Sequence, residues 1–538
     1  VPAQSGAGSN RVYGYGVGVV RLARVTGHND GWSRRGVLRM GLAAAAAAVA
    51  GCSGGPDPTT AVAVDSEAVR VAEARRRAAT AVVRRFGLRA EASVVDLGGV
   101  QVPTWTYGGR LPGAEIRLAR GEVAAVRLDN ALAQPTTVHW HGLALRADMD
   151  GVPGLTQAPI PAGSGYDYEF TVPDGGTYWL HPHTGVQLDR GLYAPLIVED
   201  PDDGDDYDLE AVVVLDDWLD GIDGRDPDTE LARLRAAGMH DMDAHPDTAG
   251  GHGGHGGHGA AQTTPLGEHG GDVEHPLYLI NGRVPADPVT FTARPGQRIR
   301  LRIINAAADT AFRFALGRHR MRVVQSDGYP VFAVTTDSLL IGMGERYDVI
   351  IDLDEGVFPL IAAAEGKTGR ALALIRTGPG QAPDPQVRVR ELATAPLTAT
   401  RLRAEDRARL PARAPERVLD VRLGADVSRY VWTINDHAPL DGAVHQNTHT
   451  VFEVTQGQRV RLRFANATTM FHPMHLHGHT FALADGTGNG ARKDTVIVGP
   501  SATVDVDFDA ANPGQWMLHC HNAYHGEAGM MSVLSYRH

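Results

Sequence analysis

The chain has 538 residues, which at roughly 100–200 residues per domain predicts three or four domains. A hydrophobic fraction of 43% excludes wholesale disorder, and 64 Gly and 32 Pro with only 6% aromatic residues favour a loop-rich β protein over a helical bundle. Two cysteines, Cys52 and Cys520, exclude a disulfide framework, and a formal charge of −12 argues against a nucleic-acid partner.

The N-terminal stretch reads as an address label. Arg34 and Arg35 form a twin-arginine pair ahead of an alanine-rich run that is too short and too weakly apolar for a good membrane span. Val49-Ala50-Gly51-Cys52 resembles a bacterial lipobox, in which Cys52 becomes the lipidated first residue. Residues 1–51 are therefore expected to be a Tat-type lipoprotein signal with an N-terminal extension, and Val25 is an alternative start. The expected location is the cell envelope, with the membrane held by a lipid on Cys52. Residues 52–84 follow as a tether and then the best helix candidate, 66–84, rich in Ala and Arg.

Beyond it one phrase occurs three times: Gly121-Glu-Val-Ala-Ala-Val-Arg-Leu-Asp-Asn130, Gly296-Gln-Arg-Ile-Arg-Leu-Arg-Ile-Ile-Asn305 and Gly457-Gln-Arg-Val-Arg-Leu-Arg-Phe-Ala-Asn466. Each opens on a turn glycine and alternates as a half-buried strand does. Similar strand-turns precede them, at 104–109, 277–282 and 431–436. The copies start 175 and 161 residues apart. An all-β chain of three similar β-sandwich domains is expected, at 85–200, 205–380 and 400–538. A His-rich insert, 239–275, interrupts the second copy. Its Gly-His repeat at 251–259 reads as a surface loop, and Met239, His240, Met242, His245, His252, His255 and His258 make it a candidate metal collector.

Four His-X-His pairs carry the chemistry: His139 and His141, His181 and His183, His475 and His477, His519 and His521. In a strand, residues i and i+2 share a face, so each pair presents two imidazoles together. Imidazole suits copper, zinc and iron. His139 and His475 each lie nine residues after the asparagine of their copy, and His181 and His519 each lie five after a glycine. The matching middle positions are Phe314 and Leu316, so the middle domain is expected to lack the ligands and act as a spacer, with one cluster shared between domains 1 and 3. Domain 3 adds His472, Cys520, His525 and Met530, the ligand set of a blue-copper site with methionine as weak axial ligand. The equivalents in domain 1 are Thr136, Pro182, Gln187 and Leu192, so one such site is expected. The Cys520 thiol should point away from its histidine neighbours, leaving a single peptide link between the two centres.

With H-W-H-G, H-P-H, H-P-M-H-L-H-G-H and H-C-H-N-A-Y-H-G-E-A-G-M in place, the chain resembles three-domain multicopper oxidases of the laccase and copper-efflux-oxidase superfamily. I-N-G-R, G-E-R-Y-D and R-K-D-T-V extend the likeness, and the lipoprotein start makes it most similar to mycobacterial and other actinobacterial lipoproteins of that family. The resemblance implies three cupredoxin domains and four copper ions. Type 1 copper would be held by His472, Cys520, His525 and Met530. Type 2 would take His139 and His475; the type 3 pair would take His141, His181, His183, His477, His519 and His521. The implied reaction is one-electron oxidation of a donor coupled to four-electron reduction of dioxygen to water. Asp150 matches the family's proton-relay acid. Gly526 stands where many relatives carry a second one, with Glu527 one residue further on. Met470 matches a methionine that holds substrate Cu(I) in copper-efflux relatives, although Thr468 replaces the acid that accompanies it. Cu(I) is the expected donor. The alternatives are a small organic reductant such as a phenol, and a copper-sequestering lipoprotein that does not turn over.

Overall fold

The computed structural model describes residues 61–204, 206–238, 264–267, 269–426, 428–439 and 451–538. Arg34, Arg35, Cys52 and the His/Met positions from Met239 to His258 lie outside them. All the interdomain contacts below lie within the unit Pro58–His538.

The repeated phrase becomes the same strand three times: Val123–Asn130, Arg298–Asn305 and Arg459–Asn466. Its opening glycines, Gly121, Gly296 and Gly457, have φ of +85°, +78° and +93°, a turn conformation that a Cβ would strain. Each repeat strand pairs in parallel with the long first strand of its copy: Val83–Asp96, Leu209–Trp218 or Arg417–Asp426. On its other edge it pairs antiparallel with Gly165–Thr171, Arg346–Asp352 or Thr503–Asp509. A second sheet closes each sandwich: four strands in the first copy and five in each of the others. The chain therefore folds as three cupredoxin-like β-sandwiches.

In the helix α1, Glu67–Arg76, the expected segment is shortened. Arg77 leaves helical geometry, and the β-branched Val82 and Val83 lead into the first strand instead. Helix α2, Pro227–Ala237, was not anticipated, although Asp226 caps it by accepting from Thr229 N and Pro227 opens it. The last part of the insert, beyond the Gly-His repeat, packs inward. Leu266 and Val273 are each 1% exposed, because their side chains complete the main core.

Candidate metal centre

The asparagine that ends each repeat strand explains the spacing to the histidines. Asn466 Nδ2 donates to the carbonyls of Met470, Val498 and Gly499, while its Oδ1 accepts from Thr468 N and Oγ1. Asn130 and Asn305 pin their own loops in the same way. The pinned loops deliver His139–His141 and His472–Leu476 as buried strands. The equivalent middle strand, Phe312–Leu316, carries apolar side chains into the core.

Cross-strand pairing completes the cluster. His139 lies opposite His181, and His475 opposite His519. The two sandwiches then meet ring on ring: His139 stacks on His477 at 3.7 Å between centroids, and His141 on His475 at 3.9 Å. His183 and His519 join at 4.8 Å, and His521 lies 4.9 Å from His141. All eight predicted histidines are thus brought together.

Their outer nitrogens are held by oxygen. His139 Nδ1 lies 3.0 Å from Asp150 O, His181 Nδ1 2.9 Å from Pro182 O, His475 Nδ1 2.9 Å from Asp494 O and His519 Nδ1 2.9 Å from Cys520 O. His477 Nδ1 lies 2.8 Å from Asp150 Oδ2. Carbonyls and carboxylates only accept, so these nitrogens carry the protons and the opposite ones are bare. Bare nitrogens converge: His477 Nε2 and His519 Nε2 are 3.0 Å apart, and His139 Nε2, His141 Nδ1, His181 Nε2 and His475 Nε2 have no hydrogen-bond partner. Buried lone pairs facing one another without a donor are unfavourable unless a cation lies between them. The donor set therefore fits a metal. Burial, reinforced by neighbouring imidazoles, keeps His141, His181, His477, His519 and His521 well below the usual imidazole pKa, in the neutral form that ligates.

A second group lies on the other face of the strand Gln515–Cys520. Cys520 Sγ is 3.7 Å from both His472 Nδ1 and His525 Nδ1, which are themselves 3.0 Å apart. The short helix α3, Ala523–Glu527, turns His525 back toward the cysteine, and Asn522 caps it by accepting from Tyr524 N and His525 N. Met530 is fully buried, and its backbone bonds both Cys520 N and His525 O. Trp432 stacks on His525 at 4.0 Å. Burial raises the Cys520 thiol pKa, so a metal binding there must displace a proton. In the first sandwich the equivalent residues, Thr136 and Gln187, hydrogen-bond each other at 2.8 Å, which closes that position without a metal.

Asp150 is wholly buried, with one carboxylate oxygen on His477 and the other 3.2 Å from His139 Nδ1. Met470 is 5% exposed in the main core, and Thr468 Oγ1 sits 2.8 Å from His472 Nε2. Sequence reasoning gave no role to Asp494, Arg346 or Asp272. Asp494 contacts His141 and His475; Asp272 Oδ2 accepts from His525 Nε2 at 2.8 Å. The first two sit in the R-K-D-T-V and G-E-R-Y-D phrases, where charges interrupt apolar strands. The middle domain is also more than a spacer. A Cβ on its Gly344 would lie 2.8 Å from His521 Cδ2 and 3.0 Å from His141 Cε1, so its backbone forms a wall of the cluster.

Three family profiles, each described as multicopper oxidase, match residues 90–203, 212–380 and 414–538. The chain is 46% identical over 509 residues to the multicopper oxidase MmcO of Mycobacterium tuberculosis, covering 94% of this chain and 97% of that one. The chain belongs to the multicopper oxidase family. Another relative, the copper resistance protein A homolog of Pseudomonas syringae pv. tomato, is 27% identical over 83% of this chain and 91% of its own. The crystal structure of a multi-copper oxidase from Pseudomonas thermotolerans superposes with a TM-score of 0.64 at 26% identity, covering 85% of this chain and all of that one. Membership and the buried histidine and cysteine groups together assign copper-dependent oxidoreductase chemistry coupled to dioxygen.

Proposed function

We propose that this multicopper oxidase is an envelope lipoprotein that oxidises Cu(I) in copper detoxification, with four copper ions per chain. His472, Cys520, His525 and Met530 hold type 1 copper; His139 and His475 hold type 2; His141, His181, His183, His477, His519 and His521 hold the type 3 pair. Bound at these places, copper supplies one-electron acceptance from the donor and four-electron reduction of dioxygen to two waters.

One observation carries the reading: Cys520 faces His472 and His525, while its peptide neighbours His519 and His521 point into the eight-histidine cluster. The donor-side group and the cluster are therefore one peptide unit apart along the chain. Asp150 orients His139 and His477 and is the acid placed to pass protons toward the cluster. Asp272 and Thr468 orient His525 and His472 from outside. Cu(I) as donor is supported by the relative named for copper resistance, by the soft thioether of Met470 two residues before His472, and by the methionines and histidines of the insert. Export by the twin-arginine route and anchoring at Cys52 rest on the sequence motifs.

Loading the protein anaerobically with Cu(I) and then admitting oxygen tests the reaction. Oxygen uptake in proportion to Cu(I), with slower turnover of phenolic dyes, is expected. Uptake with phenols alone would make it a laccase-like oxidase of organic donors, and copper retention without uptake a sequestering protein.

A further inference from the structure

The turn that walls the cluster from the middle domain ends at Arg346, whose side chain is fully buried. Its guanidinium makes a two-pronged contact with Asp494: Nη1 to Oδ1 at 2.7 Å and Nη2 to Oδ2 at 2.5 Å. Its Nε donates to Thr177 O in the first sandwich at 3.1 Å, and Nη1 also donates to Gly344 O. The backbone is fixed too. Asp327 accepts from Arg346 N through Oδ1, and through Oδ2 from Asp494 N and Thr495 N.

Asp494 in turn touches a ring from each flanking domain. Its Oδ1 lies 3.0 Å from His141 Nε2 and 3.4 Å from His475 Nδ1, and its carbonyl lies 2.9 Å from His475 Nδ1. The two rings are stacked within 13° of parallel, yet they present opposite nitrogens to the cluster, Nδ1 of His141 and Nε2 of His475. Strand geometry does not choose that combination; the acceptors behind the rings do, the oxygens of Asp494 together with Thr495 Oγ1, which lies 3.3 Å from His141 Nε2 and 3.1 Å from His475 Nδ1 and itself donates to Asp494 Oδ1.

We propose that Arg346 is a positioning residue of the metal centre: by clamping Asp494 it fixes the ring direction and tautomer of His141 and His475, so that the copper-free domain sets the geometry of a cluster to which it gives no ligand. A second observation agrees. Gly142, directly after His141, has φ of +91°, and a Cβ there would lie 2.4 Å from Arg346 Nη2 and 2.7 Å from Asp494 Oδ2. The glycine of H-W-H-G leaves room for this pair. A buried ion pair is by itself weak evidence for stability, whereas an acceptor behind a metal-facing imidazole is an orienting device.

The inference rests on the reading that copper binds the cluster. Arg346→Lys tests it on the full chain, since lysine keeps the charge and loses the fork. Two quantities are measured: copper affinity by competition titration, with the blue colour of the Cys520 site as internal reference, and ring tautomers of His141 and His475 by nitrogen NMR of the copper-free protein. The cluster should lose about 10- to 100-fold in affinity while the Cys520 site keeps its own, and the two tautomers should become mixed. Unchanged cluster affinity with unchanged tautomers overturns the proposal, as does an equal loss at both sites. If Arg346→Lys does not fold, Asp494→Asn conserves volume and removes the charge, and the same selective loss is expected. Wild-type protein that binds copper only at the Cys520 site would defeat the cluster reading itself, and the tautomers would still decide the role of Arg346.

Discussion

Asn466→Ala isolates how the loop before His472 is held. The side chain is 5% exposed and serves three carbonyls, at 2.7, 3.2 and 2.9 Å, and two Thr468 donors, at 2.9 and 2.8 Å. An amide group has two donor hydrogens, so about four of these contacts are full hydrogen bonds. At roughly 1 kcal/mol each, the loop loses about 4 kcal/mol of local order. The loss falls on local opening of residues 466–472, because the flanking strands keep their ladders. Copper at the Cys520 site must then reorder the loop, which weakens its binding by about a thousandfold at 1.4 kcal/mol per decade. Titrating copper into the metal-free protein and reading the blue colour measures this. Asn305→Ala is the control: it breaks the equivalent pins in the middle domain, where no ligand follows. It should loosen its own loop comparably, read as lost amide-exchange protection there, and leave the blue-site affinity alone. Equal affinities in Asn466→Ala and wild type would refute the argument.

Cys520→Ser should abolish the blue colour and turnover while the sandwiches remain folded, and a blue serine variant would sink the type 1 assignment. Met470→Leu conserves volume in the core and should cost less than about 1.5 kcal/mol; it should raise the Michaelis constant for Cu(I) and spare phenols, and an equal loss for both donors would make Met470 a support of the site only. Cys52→Ala should move the protein from membrane to soluble fractions, and persistent membrane attachment would rule out lipidation. The copper-free protein should lose stability in acid. Burial lowers the His479 pKa from the ordinary 6.5 to about 4, so only the unfolded chain takes up that proton in between. The contribution is complete above about pH 6.5 and falls by about 3 kcal/mol by pH 4, with His141, His181 and His477 shifted in the same direction. Thermal melts that stay level across that window would contradict it.

The clustered histidines were legible because their rule is local. Strand alternation puts His139 beside His141 and His475 beside His477, and the repeated phrase aligns each copy well enough to show that Phe314 and Leu316 stand at the matching positions in the middle one. The same alignment picked out Thr136 and Gln187 as a closed copy of the Cys520 site, and the structure shows how they close it. Helix α1 stops at Arg76, short of the expected 84: Ala and Arg favour helix, while the sheet edge offered to Val83 is a tertiary fact. Arg346 and Asp494 could be seen only in three dimensions. They lie 148 residues apart, and Asp494 lies 353 residues from His141, so neither periodicity nor spacing links them. For His141 and His477, which nitrogen faces the cluster was likewise decided by tertiary structure. A side chain's identity and face follow from its own strand, but its tautomer follows from the acceptor behind it: for His181 and His519 that is the carbonyl of the next residue, whereas for His141 and His477 it is a carboxylate 353 and 327 residues away.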